Sequence, residues 1–199
     1  MMTNKVRESA GRPRSAESKD AILNATVELL EKNGYSALTI EGVAAAAGVS
    51  KATIYRWWSN KTMLVMDAFL MLLTPQVKLN ENASVRENFM NQLKGMAKVF
   101  NSTLGRSMLY VISGSESDSE VVETFMSQYL IPRRTEAKRI LENGIEHGEL
   151  RPNIDYDIVL DMIYGPLYFH VLIHKKKLDD SYIETFIEYI LKTVQPEQS

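Results

Sequence analysis

Along this chain, stretches in which apolar residues recur every three or four positions alternate with short polar breaks rich in Gly, Pro, Asn, Asp and Ser. Spacing by three and four marks an amphipathic helix, and the alternation by two that would mark a strand is rare here. The pattern predicts an all-α fold. Ile22, Ala25, Leu29 and Leu30 line one face of a first helix, which starts near Ser15 to Ser18 and stops at Asn33-Gly34. Ile40 to Ala46 form a second helix, with Thr39 as N-cap and Gly48 closing it. Ser50 caps a third. Asn60 or Ser59 caps a fourth, in which Leu64, Ala68, Met71 and Leu72 share a face.

Thr74-Pro75 breaks this pattern, and an Asn-rich stretch, Asn80 to Ser84, follows. Helical spacing resumes over 84–103 and 104–112, and the polar segment SGSESDSE, 113–120, reads as a loop. Helical signals then run through 119–130 and, after Pro132, through 133–147, where His147-Gly148 ends them. Arg151-Pro152-Asn153 turns the chain into a long apolar helix, 154–174. Lys175 to Lys177 sit at its end, where the helix dipole favours cations. Asp179-Asp180-Ser181 opens the last helix, with a stripe of Ile183, Phe186, Ile187, Ile190, Leu191 and Val194. The predicted organisation is a flexible basic arm over 1–16, a helical domain over 17–74 and a larger helical domain over 75–199.

Composition narrows the function. The 199 residues contain no cysteine, which removes disulfides and Cys-ligated metal sites and fits a reducing cytoplasm. The start of the chain, MMTNKVRESAGRPRS, holds no apolar run of the signal-peptide kind, and no stretch approaches the roughly 18 apolar residues of a membrane span. The formal net charge is -2, yet its distribution is uneven. Lys5, Arg7, Arg12, Arg14 and Lys19 outweigh Glu8 and Glu17 at the start, while the part beyond residue 60 is acidic. One end of the molecule is therefore suited to a polyanion and the other to something else.

The basic end carries the sharpest local pattern. Two short helices joined by a tight glycine turn, the second bearing hydrogen-bonding side chains, form a helix-turn-helix. The N-terminal residues of its second helix are Lys51, Ala52 and Thr53. Lys51 is able to donate to guanine O6 and N7, and the methyls of Ala52 and Thr53 suit a thymine methyl. Tyr55 and Arg56, one turn on, reach phosphates or bases. Ser50 and Thr39 stand at helix N-termini that hold phosphate, and Lys61 can do the same at the fourth helix. Ile54 and Trp58 face inward. In the arm, Arg12-Pro13-Arg14 either lies in a narrow, A·T-rich minor groove or supplies nonspecific attraction alone.

The segments ILNATVELLEKNGYSALTI and VAAAAGVSKATIYRWWSNKTML, within residues 17–66, resemble the N-terminal domain of the TetR family of tetracycline-repressor-like transcriptional regulators. The resemblance implies that Lys51 to Trp57 form the recognition helix, with Tyr55 and Lys61 at phosphates. It further implies a C-terminal domain that binds a small-molecule effector, a homodimer formed through the last two helices, and release from operator DNA on effector binding. Gly42 and Trp57 depart from the family pattern, so the details of operator contact are least safely carried over.

In the C-terminal part, Met96, Phe100, Tyr110, Phe125, Tyr129, Met162, Tyr168 and Phe169 are pocket candidates, although residues of these types at helical spacing are more often plain core. Asp161, on a largely apolar helix, would meet a cationic ligand or an Arg or Tyr of the chain itself. Pro166 is expected to kink its helix, which either shapes a pocket or relieves packing. Ile183, Phe186, Ile187, Ile190 and Leu191 are the expected dimer contacts. His170 and His174 have the spacing of a helical metal pair, but no Cys or HExxH accompanies them and lysines crowd the site, so they read as packing and surface residues. No phosphate loop, nucleophile elbow or Ser/His/Asp arrangement points to an enzyme, and no cofactor is expected. The reading is a homodimeric transcriptional regulator of the repressor kind, with a palindromic DNA operator and a largely hydrophobic effector as partners. The alternative is a small-molecule-binding or interaction module whose helix-turn-helix no longer reads a defined operator.

Overall fold

In a computed structural model, residues 13–74 and 80–196 are described, with side chains from Ala16 onward. The described residues form helices and no strand. The chain divides into two compact units, Met1–Ala68 and Phe69–Ser199.

The first unit holds α1 (Pro13–Asn33), α2 (Ile40–Ala46), α3 (Lys51–Tyr55) and the start of α4 (Lys61–Leu73). α1 begins inside the stretch expected as an arm, with Pro13 at its first position, where a missing N–H costs nothing. α1 contributes Ile22, Leu23, Ala25 and Leu30 to the core, α2 contributes Ile40, Val43 and Ala44, and α3 contributes Ile54, which is fully buried. Thr26, also buried, satisfies its hydroxyl on the carbonyl of Ile22 at 2.8 Å. Gly34 and Gly48 take positive φ, 77° and 65°, and close α1 and α2 where an L side chain would be strained.

The second unit holds the rest of α4, then α5 (Val85–Asn101), α6 (Thr103–Gly114), α7 (Glu120–Phe125), α8 (Ile131–Glu146), α9 (Tyr156–Leu172) and α10 (Asp180–Val194). The division falls within α4, earlier than the expected junction at 74/75. Phe69 and Leu73 are fully buried, and the Phe69 ring packs on Phe100 and Phe125 at 6.4 Å each. Thr74-Pro75 thus marks the end of a helix, while the last turns of that helix belong to the second core. α5 is the spine of this core, with Phe89, Leu93, Met96 and Phe100 at or below 2 % exposure. Its start is fixed by a complete capping box between Ser84 and Glu87.

One of two helical prolines behaves differently from expectation. Pro132 does not separate two helices. A π-helical turn, Met126–Leu130, joins α7 to α8, and the Ile131 N–H donates to the Met126 carbonyl five residues back. The wider π turn lets the chain enter α8 with Pro132 in its first turn, where its missing N–H is cheapest. Pro166 lies inside its helix as expected, and α9 continues through it to Leu172.

The stripe expected to meet a second copy also needs correction. Ile183 and Ile187 are fully buried within the single chain, and Ile190 and Leu191 are buried as well, with Phe186 half-buried. They are core because α10 packs on α5 and α9 of its own unit. Exposed large apolar residues of the second unit include Ile158, Met162, Phe169 and Ile173 on α9 and just past its end, besides Tyr189 on α10, Tyr110 on α6, Met126 in the π turn and Ile131 at the start of α8.

Candidate nucleic-acid interface and ligand cavity

The reading helix is short, so capping and one buried side chain hold it rather than its own helix propensity. The Ser50 hydroxyl accepts from the Thr53 N–H at 3.2 Å and pairs with the Thr53 hydroxyl at 2.9 Å. The Thr39 hydroxyl accepts from the Gly42 N–H at 3.0 Å, so α2 is capped on one side only. A Cβ at position 42 would stand 3.2 Å from that hydroxyl, which gives Gly42 a local reason. Ile54 anchors α3, and Trp58 is buried just behind it, its ring N–H donating to Asp67 at 3.0 Å. Lys19 meets the same carboxylate at 2.9 Å and stands 5.8 Å from the centres of both Trp57 and Trp58 rings.

With Ile54 turned inward, Lys51, Ala52, Tyr55, Arg56 and Trp57 are exposed together, beside Thr39 and Ser50. Thr53 is half-buried and its hydroxyl is held by the cap. Lys51 is ion-paired with Glu41 at 2.9 Å, and the hydrogen bond between them, reinforced by their charges, raises the lysine pKa and lowers the carboxyl pKa. Both partners are exposed, so the pair is weak and a phosphate or base edge is able to compete for the ammonium. Lys61 is placed differently from expectation. Its ammonium donates to the carbonyls of Tyr35 and Leu38, each at 3.2 Å, over the Tyr35 ring. Two of its three donors thus hold the loop between α1 and α2, and one remains for phosphate. Arg12 lies outside the described residues, and of Arg14 only the backbone, in the first turn of α1, is described.

The second unit holds a small, nearly filled cavity of about 10 Å³, lined by Gln92 and Met96 of α5, Tyr129 and Leu130 of the π turn, Arg133 and Arg134 of α8, and Tyr164 and Tyr168 of α9. Phe100 packs on Tyr168 at 5.4 Å and Phe125 on Tyr129 at 5.3 Å, forming an aromatic wall behind the cavity. Burial pushes the phenols of Tyr129, Tyr164 and Tyr168 above their ordinary pKa, so all three are neutral and able to donate. The Tyr164 hydroxyl donates to the Gln92 side-chain carbonyl at 2.6 Å.

Residues 22–68 match the family described as bacterial regulatory proteins, tetR family, and residues 79–190 match the tetracyclin repressor-like C-terminal domain. An HTH-type transcriptional regulator of Bacillus subtilis, YdeS, is 36% identical over 185 residues, 93% of each chain. The chain belongs to the TetR family. It is a DNA-binding transcriptional regulator with a helix-turn-helix N-terminal domain and a helical C-terminal domain. Among solved structures, the TetR family transcription regulator SCO0332 superposes with a TM-score of 0.73 at 29% identity, covering 90% of this chain and 100% of that one. A DNA-binding transcriptional repressor TetR of Mycobacteroides abscessus is 26% identical, over 91% of this chain and 93% of its own.

Within this TetR-family frame, the nine pocket candidates separate. Met96, Tyr129 and Tyr168 line the cavity, and Phe100 and Phe125 back it. Tyr110, Met162 and Phe169 are at the surface, exposed on α6 and α9. Asp161 is not buried either, and it meets Arg134 at 2.6 Å while Asp157 takes the other arm of that guanidinium at 2.8 Å. Sequence reasoning missed Gln92, Leu130, Arg133, Arg134 and Tyr164. A signal was present for three of them: Gln92 precedes Met96 by four, Arg133 follows Tyr129 by four, and Tyr164 precedes Tyr168 by four, so each shares a helix face with a residue already singled out. No group of three or more metal-ligating side chains occurs among the described residues. His170 is buried and its Nε2 meets the Lys177 carbonyl at 3.2 Å, while its ring packs on Tyr182.

Proposed function

We propose that this regulator is a repressor that reads a palindromic operator as a homodimer and releases it when a small, largely apolar molecule enters the cavity of the second unit. The observation that carries the DNA side is the exposed set Lys51, Ala52, Tyr55 and Arg56, fixed by the single buried anchor Ile54. The Mycobacteroides relative named as a repressor supports the sign of regulation. Lys51 and Ala52 read base edges in this proposal, and Tyr55, Arg56, Ser50 and Thr39 take backbone contacts, with Trp57 alongside.

The dimer surface is the exposed apolar stripe of α9, spaced for one helix face from Ile158 through Met162 to Phe169. A two-fold contact there gives two reading heads, as operator half-sites 34–36 Å apart demand. Release works by population shift: an effector that prefers the conformer unable to span the two half-sites empties the operator. Footprinting on DNA selected by the full-length chain tests the reading. A protected palindrome that is lost on adding effector is expected, and the absence of any defined protected site would instead favour a binding module that no longer reads an operator.

A further inference from the structure

The cavity of the second unit holds a donor that nothing in the chain answers. Gln92 is 3 % exposed and its side-chain carbonyl is taken by Tyr164, but its Nε2 is buried with no hydrogen-bond partner. Leaving a buried donor unmatched costs on the order of 1–3 kcal/mol, so such a group calls for a specific reason. Tyr129 and Tyr168, each carrying a phenol able to donate, line the same cavity as Gln92. Three side chains able to donate thus line one cavity, and the one acceptor among them, the Gln92 side-chain carbonyl, is already taken by Tyr164.

Charge decides which acceptor belongs there. Arg133 is bound to Glu136 at 2.9 Å and to the Thr74 carbonyl at 2.7 Å. Arg134 pairs with Asp157 and Asp161, and the nearby Lys138 shares Asp157 at 3.0 Å. Every cation at the cavity rim is thus matched by a carboxylate of the chain, so a ligand carboxylate would enter without a free counter-charge and would bear its desolvation cost. The remaining walls, Met96, Leu130 and the rings of Tyr129 and Tyr168, favour a flat apolar body.

Resting on the reading of the second unit as the effector-binding part, we propose that this cavity takes an uncharged, largely aromatic molecule through one carbonyl oxygen, held by Gln92 Nε2 and the hydroxyls of Tyr129 and Tyr168. The free space in this conformation is about 10 Å³, room for roughly one water, so an occupant enters by displacing the walls, and the pliable Met96 and the π turn carrying Tyr129 and Leu130 are the walls that give.

Three probes of one shape test this by calorimetry on the full-length chain: methyl naphthyl ketone, naphthoate and ethylnaphthalene. The ketone is expected to bind at least tenfold more tightly than the other two. Gln92→Leu is expected to bring it down to the level of ethylnaphthalene while leaving ethylnaphthalene unchanged, and Tyr168→Phe to weaken the ketone several-fold. Naphthoate binding as tightly as the ketone, equal binding of ketone and hydrocarbon, no binding of any probe, or a ketone preference that survives both substitutions overturns the proposal. The same titrations repeated on operator-bound protein separate the two levels. Ethylnaphthalene that binds and releases operator with no ketone preference leaves the effector reading standing and removes the ligand class. A ketone preference without operator release does the reverse.

Discussion

The reading helix and the cavity are built on opposite principles. α3 is only five residues long, and its functional side chains point away from the fold, so the structure beneath it need supply only two caps and one anchor. The cavity is formed by side chains from four elements, α5, the π turn, α8 and α9, among them Met96, Tyr129 and Tyr164 of the buried core. A surface of the first kind tolerates changes in its outward residues and redirects specificity. A site of the second kind couples every lining residue to stability, because a residue that binds a ligand there also packs the core.

The largest effect that would break this contrast lies in the second unit. A Cβ at Gly105 would stand 1.9 Å from the Val99 carbonyl oxygen, at the corner where α5 ends and α6 begins. Gly105→Ala is expected to destabilise the chain by several kcal/mol, well beyond the ~1 kcal/mol typical of point substitutions, as read by urea unfolding. A near-neutral result would show that the corner yields. Next is Ile54→Ala, expected to cost about 2–5 kcal/mol and to abolish operator binding, since the reading helix loses its anchor. DNA binding that survives this change would mean the outward face does not depend on the anchor beneath it.

Charging the α9 stripe comes third. Phe169→Glu is expected to yield monomers in sedimentation experiments, whereas truncating the buried Ile187 is expected to lower stability instead of dissociating a dimer. Fourth, substitutions on the outward face separate its roles. Lys51→Ala is expected to relax base preference at one operator position by about 1–3 kcal/mol, and Tyr55→Ala to weaken binding evenly across sequences. If both behave alike, the assignment of reading and clamping roles fails. The smallest effect concerns the phenols. Because burial raises Tyr129, Tyr164 and Tyr168, the folded chain keeps their protons above pH 10 while the unfolded chain loses them, so stability present below pH 10 falls as pH rises past it. Ultraviolet titration should show these three tyrosines ionising only with unfolding, and smooth ionisation in the native state would place them in water.

The helix-turn-helix was legible because its information is local. Thr39, Gly48, Ser50 and Ile54 act within a few residues of one another, so cap, turn and anchor all appear in the order of the chain. The cavity was legible in part. Met96, Tyr129 and Tyr168 stood out by type, but Gln92 and Arg134 acquire their roles from partners seventy-two and twenty-seven positions away, Tyr164 and Asp161, which no local spacing announces. The α10 stripe was misassigned for a related reason. An apolar face shows that something covers it, and only packing shows whether the cover is the same chain or a second one.

The sequence by itself determined an all-helical fold, the place of its helix-turn-helix, and the family to which it belongs, since periodicity, capping and a dense local motif are properties of neighbouring residues. The tertiary structure decided which apolar stripe is core and which is left at the surface, that α4 contributes to both units, that Lys61 is drawn inward onto carbonyls, and that a lone amide donor is sealed beside three neutral phenols. These depend on burial and on pairs distant in the chain, and burial is a property of the folded whole that no single stretch of sequence carries.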